Sequence, residues 1–260
     1  MTAYAAEIWR LRYFWMALVR VDLRRSYRHS VLGLGWSLLL PLSMTVVLCT
    51  VFANLFNVEV RTFAPYLLAG LTVWNFITAA MTQGCQSLFQ GEPYIRQHPA
   101  PLAIYSLRTT LGAGIHLLAG LVVVLGLVWL LNGFANLRTL IMLPPTLILL
   151  FVLAWSLAVC MGIFNVMFQD VQHIVQVLLQ VIFYLTPIMY PAHVLRERGL
   201  SWVADWNPIG AFLELIRAPI VEAQFPSLTA CAIASATTLV STAAAFLLMA
   251  KFERRIIFYL

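Results

Sequence analysis

Gln172, Gln176, Gln180 and Tyr184 recur at every fourth position within "VQHIVQVLLQVIFYLTPIMY", a spacing that sets amides and a phenol along one side of a helix. These groups donate and accept hydrogen bonds without carrying charge at neutral pH. In an apolar surrounding such a row must be kept from lipid. Two arrangements achieve that: hydrogen bonding to neighbouring helices, or lining a polar conduit. Acid–base and metal chemistry have no comparable constellation. His29, His98, His116, His173 and His193 are dispersed, and Cys49, Cys85, Cys160 and Cys231 lie far apart with no Cys-x-x-Cys pair. We therefore expect no metal site and no catalytic residue.

Two further sets of residues carry recognisable chemistry. Arg20, Arg24 and Arg28 form a four-residue row in "EIWRLRYFWMALVRVDLRRSYRHS", while Ile8, Leu11, Trp15, Leu18 and Val19 can share another face. That pattern reads as an interfacial helix whose guanidinium groups meet lipid phosphates, with topological charge alone as the plainer alternative. The second set lies in "QGEPYIRQHPAPLAIYSLR", where Gly91 and Pro93 are expected to break a helix and Pro99 and Pro101 punctuate the short segment after them. A short, partly apolar turn of this kind suits docking on another protein, with Tyr94, Ile95 and Leu102 as anchors; an ordinary loop is the competing reading.

The elements that must hold these groups come from composition. Only 10% of the 260 residues are charged and 62% are hydrophobic, with a mean hydropathy of +0.89; a soluble domain carries about 25% charge. Charge-free intervals at 29–58, 62–91, 109–137, 139–169, 171–195 and 223–250 can each hold the ~20 apolar residues of a spanning helix. We expect an all-α integral membrane protein with six spans near 33–56, 64–84, 107–131, 140–165, 172–191 and 227–249. None of these interiors holds Asp, Glu, Lys or Arg, which disfavours a proton relay or an intramembrane enzyme.

The N-terminal segment, Arg96, Arg108, Lys251, Arg254 and Arg255 outweigh Arg61, Arg138, Arg196, Arg198 and Arg217, which places both termini in the cytoplasm. Residues 1–32 do not read as a cleavable signal peptide. Between the last two spans, "NPIGAFLELIRAPIVEAQFP" offers Asn207 as a cap, Pro208 in the first turn and Ile209, Phe212, Leu213 and Ile216 at helical spacing. We expect a pair of short helices there, broken at Pro219 and dipping back into the outer leaflet. The single domain, 1–260, thus divides into the interfacial helix (1–32), spans one to five (33–189), the outer helices (190–226) and the last span with its tail (227–260).

The run "VRVDLRRSYRHSVLGLGWSLLLPL", succeeded in order by "LLAGLTVWNFI", the 90–108 loop, "FQDVQHIVQVLLQVIFYLTPIMY" and "WNP", resembles the ABC-2 type polysaccharide export permeases, the group serving O-antigens, teichoic acids and related glycans. The resemblance implies a homodimer in the bacterial inner membrane that binds two copies of a separate cytoplasmic ATPase. ATP and Mg would reside on that partner. This chain has no G-x-x-x-x-G-K-[ST] phosphate loop, so we expect no cofactor of its own and no enzymatic activity in isolation; nucleic acid is not an expected partner.

By the same resemblance, "YIRQHPAPLAIYS" corresponds to the cytoplasmic coupling helix, with Tyr94, Ile95, Arg96, Gln97, His98 and Leu102 at the ATPase, and "SLFQGEP" to the gate helix before it. Arg24, Arg25 and Arg28 would meet a polyprenyl diphosphate, with Arg96 near the lipid entrance. Asn207, Pro208, Phe212, Leu213 and Ile216 would belong to an outer gate. The implied cargo is a lipid-linked polysaccharide of the O-antigen type, with capsule, teichoic acid or a small lipophile as the alternative.

Overall fold

The computed structural model describes residues 2–28, 30, 33, 35–56, 59–97, 100–133, 136–191, 195, 199, 202, 205–256 and 259. Among them the secondary structure is helical, with no strand. The N-terminal segment forms α1 (Thr2–Arg10) and α2 (Arg12–Tyr27), so the single interfacial helix expected over 1–32 is bent by a turn at Leu11. Leu18 and Val19 are its buried contacts, as their shared face requires.

Four long helices come next: α3 (Gly35–Phe56), α4 (Val60–Ile95), α5 (Ala103–Leu131) and, after a 3-10 turn over Leu137–Met142, α6 (Leu143–Met167). Then come α7 (Val171–Leu185), α8 (Pro208–Ile220) and α9 (Leu228–Ile256). Among the described residues five helical segments are long and apolar enough to cross a membrane. The remaining expected span, 172–191, is helical only over the 15 residues of α7, about 22 Å against a hydrocarbon core of about 30 Å. Its helix stops where Pro187, which lacks an N–H and restricts the residue before it, succeeds Thr186.

At two places a proline or glycine is expected to break a helix and does not. Helix α4 runs unbroken through Gly91 and Pro93 to Ile95, about 54 Å in all. Gly91 is a point of close approach: a Cβ there would lie 2.5 Å from the ring of Tyr105, which is fully buried. Likewise α8 continues past the expected break at Pro219 to Ile220. Of the expected pair of outer helices, α8 is one; the second, expected after Pro219 from Ile220 and Val221, does not form, because Ile220 still belongs to α8 and residues 221–227 are non-helical.

Packing along the bundle relies on small residues, because lipid gives helices little hydrophobic reason to associate. A Cβ on Gly84 of α4 would come within 2.7 Å of the Ala158 backbone on α6, and one on Gly162 would meet the Gly84 carbonyl at 3.0 Å. Ser156 and Thr242 hydroxyls, 3.0 Å apart, join α6 to α9. These contacts fix α4 at the centre, flanked by α5 and α6. The face of α4 that remains open looks toward α3 and α7.

Candidate functional site

A cleft of about 540 Å³ opens between α3, α4 and α7. Helix α7 lines it with Gln176, Gln180 and Tyr184, together with Leu179 and Phe183. Helix α4 contributes Leu71, Trp74, Asn75, Thr78 and Thr82, and α3 adds Leu40, Pro41, Met44 and Leu48. Among the described residues no charged side chain lines the cleft. The walls pair an apolar face with amides and hydroxyls, and Trp74 and Phe183 sit with ring centroids 5.4 Å apart. Thr78 presents a buried hydroxyl that finds no partner among the described residues.

The glutamine row divides by position: one member bonds to a neighbouring helix and the others face the cleft. Gln172 is the packing member: its Oε1 accepts from Nε2 of Gln86 on α4, and its backbone N–H donates to Asn165 Oδ1 at 3.1 Å. Asn165, almost fully buried, donates from Nδ2 to the Cys85 carbonyl at 2.9 Å. Gln176, Gln180 and Tyr184 are exposed and face the cleft. Because α4 and α7 run in opposite directions, Gln86 and Gln172 close one end of a space that Asn75, Thr78 and Thr82 line on the facing wall.

Asn75, Thr78, Thr82 and Gln86 do not stand out in the sequence. Their steps of three, four and four residues are the available signal, since that spacing keeps one helical face. Asn75 also lines a second cleft, about 250 Å³, bounded by Trp36, Phe76, His116 and Gly120. His116 sits 3.2 Å from the Tyr27 hydroxyl at the end of α2, a hydrogen-bonded contact that ties α2 to α5.

The short break after α7 is held by a side chain that the sequence pattern assigns only to a loop. Arg217 on α8 is 4% exposed. Its guanidinium donates to the carbonyls of Tyr66 (3.1 Å), Pro187 (2.8 Å) and Ile188 (2.9 Å), and lies 3.6 Å from the Tyr66 ring centroid. Non-helical backbone at membrane depth survives only when its polar groups are satisfied within the protein, and Arg217 supplies those donors. Gly70 leaves the room; a methyl there would overlap the guanidinium.

Asn207 caps α8 as expected, its Oδ1 accepting from Ile209 and Gly210 N–H groups at 3.0 and 3.2 Å, while its Nδ2 donates to Thr186 Oγ1 at 3.0 Å. Pro208 begins the helix. Phe212, Leu213 and Ile216 are essentially fully buried in the bundle, where they anchor α8 beside α4, α6 and α9 rather than face the cleft.

At the opposite end of the molecule the basic residues fall into two groups. Arg24, Arg25 and Arg28 are exposed and form no ion pair with a described residue. Arg108, which the sequence marks only as a topological charge, is 9% exposed and pairs in a fork with Asp22, Nη2 to Oδ1 at 2.6 Å and Nε to Oδ2, tying α2 to α5.

The residues expected to dock on a partner do not form a separate helix. Tyr94 and Ile95 close α4, Arg96 is its C-cap, and Leu102 precedes α5. Tyr94, Arg96 and Gln97 are exposed, whereas Ile95 and Leu102 are buried and hold the loop in place; His98 lies outside the described residues. Arg96 pairs with Glu92 at 2.9 Å, an exposed bridge worth little and readily exchanged.

Residues 13–221 match the family described as ABC-2 type transporter. Among curated proteins, the chain is 23% identical over 198 residues to an O-antigen export system permease protein RfbA of Klebsiella pneumoniae, covering 76% of each chain. It is 24% identical over 223 residues to the protein of the same name from Myxococcus xanthus, covering 85% of each. It is also 21% identical over 208 residues to the polysialic acid transport protein KpsM of Escherichia coli, covering 79% of this chain and 80% of that one.

Proposed function

As the chain belongs to the ABC-2 type transporter family, we propose that it is the membrane-spanning permease subunit of an ATP-driven exporter that moves a polyprenyl-diphosphate-linked polysaccharide, of the O-antigen class, out through the inner membrane. The observation that carries this reading is the neutral cleft lined by Asn75, Gln176, Gln180 and Tyr184. Amides exchange hydrogen bonds with sugar hydroxyls, and aromatic faces stack on pyranose rings. The names of the O-antigen permease relatives point to the same class of cargo. A capsular polysaccharide is the second reading, favoured by similarity to a polysialic acid transporter. A small lipophile fits less well, because it would leave the Gln176 and Gln180 amides unpaired.

In this reading the chain acts as a homodimer bound to two copies of a cytoplasmic ATPase that holds ATP and Mg, with both termini in the cytoplasm. Tyr94, Arg96 and Gln97 meet the ATPase. The exposed Arg24, Arg25 and Arg28 face the leaflet where a diphosphate headgroup arrives, and guanidinium forks bind phosphate well. The helix Pro208–Ile220, with Asn207 at its start, closes the outer end.

The direct test is a strain lacking this chain. Loss of surface polysaccharide with accumulation of lipid-linked glycan inside is the expected result; normal amounts in both places would remove the glycan reading. The docking assignment has its own test. Tyr94→Ala combined with Arg96→Ala should cut ATPase recovered with the permease by about tenfold or more, the loss of one interface hot spot, while the chain still inserts. Undiminished ATPase recovery and export would overturn that assignment.

A further inference from the structure

The loop assigned above to the ATPase is bound to both ends of the chain through a hydrogen-bonded node centred on Glu253. Glu253 Oε1, on α9, accepts from the Tyr4 hydroxyl of α1 at 2.9 Å and from the Leu102 backbone N–H at 3.3 Å. The Tyr4 hydroxyl in turn accepts from the Ala103 N–H at 3.5 Å. Two orphan amides at the start of α5 are thereby satisfied by a carboxylate and a phenol from distant segments, where helix ends require such partners. Burial, and next the charge of Glu253, push the Tyr4 hydroxyl up from its ordinary value, so it remains a donor to the carboxylate.

The other side of the loop is held as well. Phe14 of α2 meets Tyr94 edge-on with ring centroids 6.0 Å apart. Trp155 Nε1 donates to the Ala103 carbonyl at 3.2 Å. Tyr4, Ile8, Phe14 and Phe252 pack on the buried cluster that contains Ile95, Leu102 and Met249. The loop therefore cannot be displaced alone without breaking these contacts.

We infer that Glu253 and Tyr4 are positioning residues for coupling: they join the ATPase-facing loop to α1 and α9, so that a push on the loop moves all three segments as one body. This inference rests on the docking reading of the loop. Movement of α1 and α2 is then carried onward through the Asp22–Arg108 fork to α5.

The test uses the permease with its ATPase in membranes. Glu253→Leu, and separately Tyr4→Phe, should lower export by about tenfold or more, a factor of ten corresponding to the loss of about one charge-assisted hydrogen bond. ATPase recovery and ATP hydrolysis should stay at wild-type levels. Glu253→Gln keeps an acceptor oxygen and should export within about threefold of wild type, as a neutral bond about half as strong would allow. Hydrogen exchange on the wild-type complex supplies the second measurement: ATP should change protection together in residues 2–15, 100–103 and 249–256.

Wild-type export by the Leu and Phe variants, equal losses in Glu253→Gln and Glu253→Leu, loss of the ATPase along with export, or protection changes confined to 94–97 would each overturn the inference. Failure of the docking reading is separable. It would show as undiminished ATPase recovery in the Tyr94→Ala/Arg96→Ala variant, whatever the Glu253 variants do.

Discussion

Arg217→Ala should leave little folded chain recoverable from membranes. The carbonyls of Pro187 and Ile188 lie beyond the end of α7, and the Arg217 guanidinium is their donor. Stranding a buried polar group costs about 1–3 kcal/mol, so the pair alone amounts to about 2–6 kcal/mol before the lost stacking on Tyr66 is added. Set against a typical total stability of about 5–15 kcal/mol, that is a large fraction. The check is a thermal melt in detergent, alongside abundance in membranes. Arg217→Lys should recover only part of the loss, because an ammonium cannot present the planar fork that reaches three carbonyls. Gly70→Ala should reproduce the defect from the other side by filling the space the guanidinium occupies. An Arg217→Ala protein melting with the wild type would show that the break after α7 is satisfied by other means.

The largest expected effect on transport comes from Gln176→Leu combined with Gln180→Leu. Both side chains are exposed to the cleft and neither is needed to hold helices together, so the variant should fold and reach the membrane. Sugar hydroxyls passing an apolar wall lose partners at about 1–3 kcal/mol each. Two such losses predict a fall in export of at least about thirtyfold. Quantified surface polysaccharide, with permease abundance measured in parallel, decides the matter. Unchanged export would remove these glutamines from the path of the cargo. Gln172 makes a useful contrast, since its replacement by Leu strands the Gln86 amide and is expected to lower stability first.

The sequence pattern makes some of this arrangement readable and conceals the rest. The charge-free intervals locate the long helices because spanning lipid demands uninterrupted apolar length. The four-residue repeat of Gln172, Gln176, Gln180 and Tyr184 locates one wall of the cleft. It cannot show that Gln172 differs from its neighbours, because the difference is a contact with Gln86, which lies on another helix. Arg217 counts in the sequence as an outer-face loop charge because its partners are backbone carbonyls, and every residue has one of those. Gly91 reads as a break since glycine serves equally for a bend and for a close approach; the buried ring of Tyr105 decides for the latter. The Glu253 node draws on residues 4, 102 and 253, a distance no local spacing rule spans.

The neutrality of the cleft has an electrical consequence. A unit charge carried across the whole membrane potential gains or loses about 2.3 kcal/mol per 100 mV. With no charged side chain among the residues lining the cleft, and Arg217 held fast by carbonyls, rearrangement of this wall moves almost no charge through that field. Any voltage dependence of export should then report on charge carried by the cargo rather than on this wall.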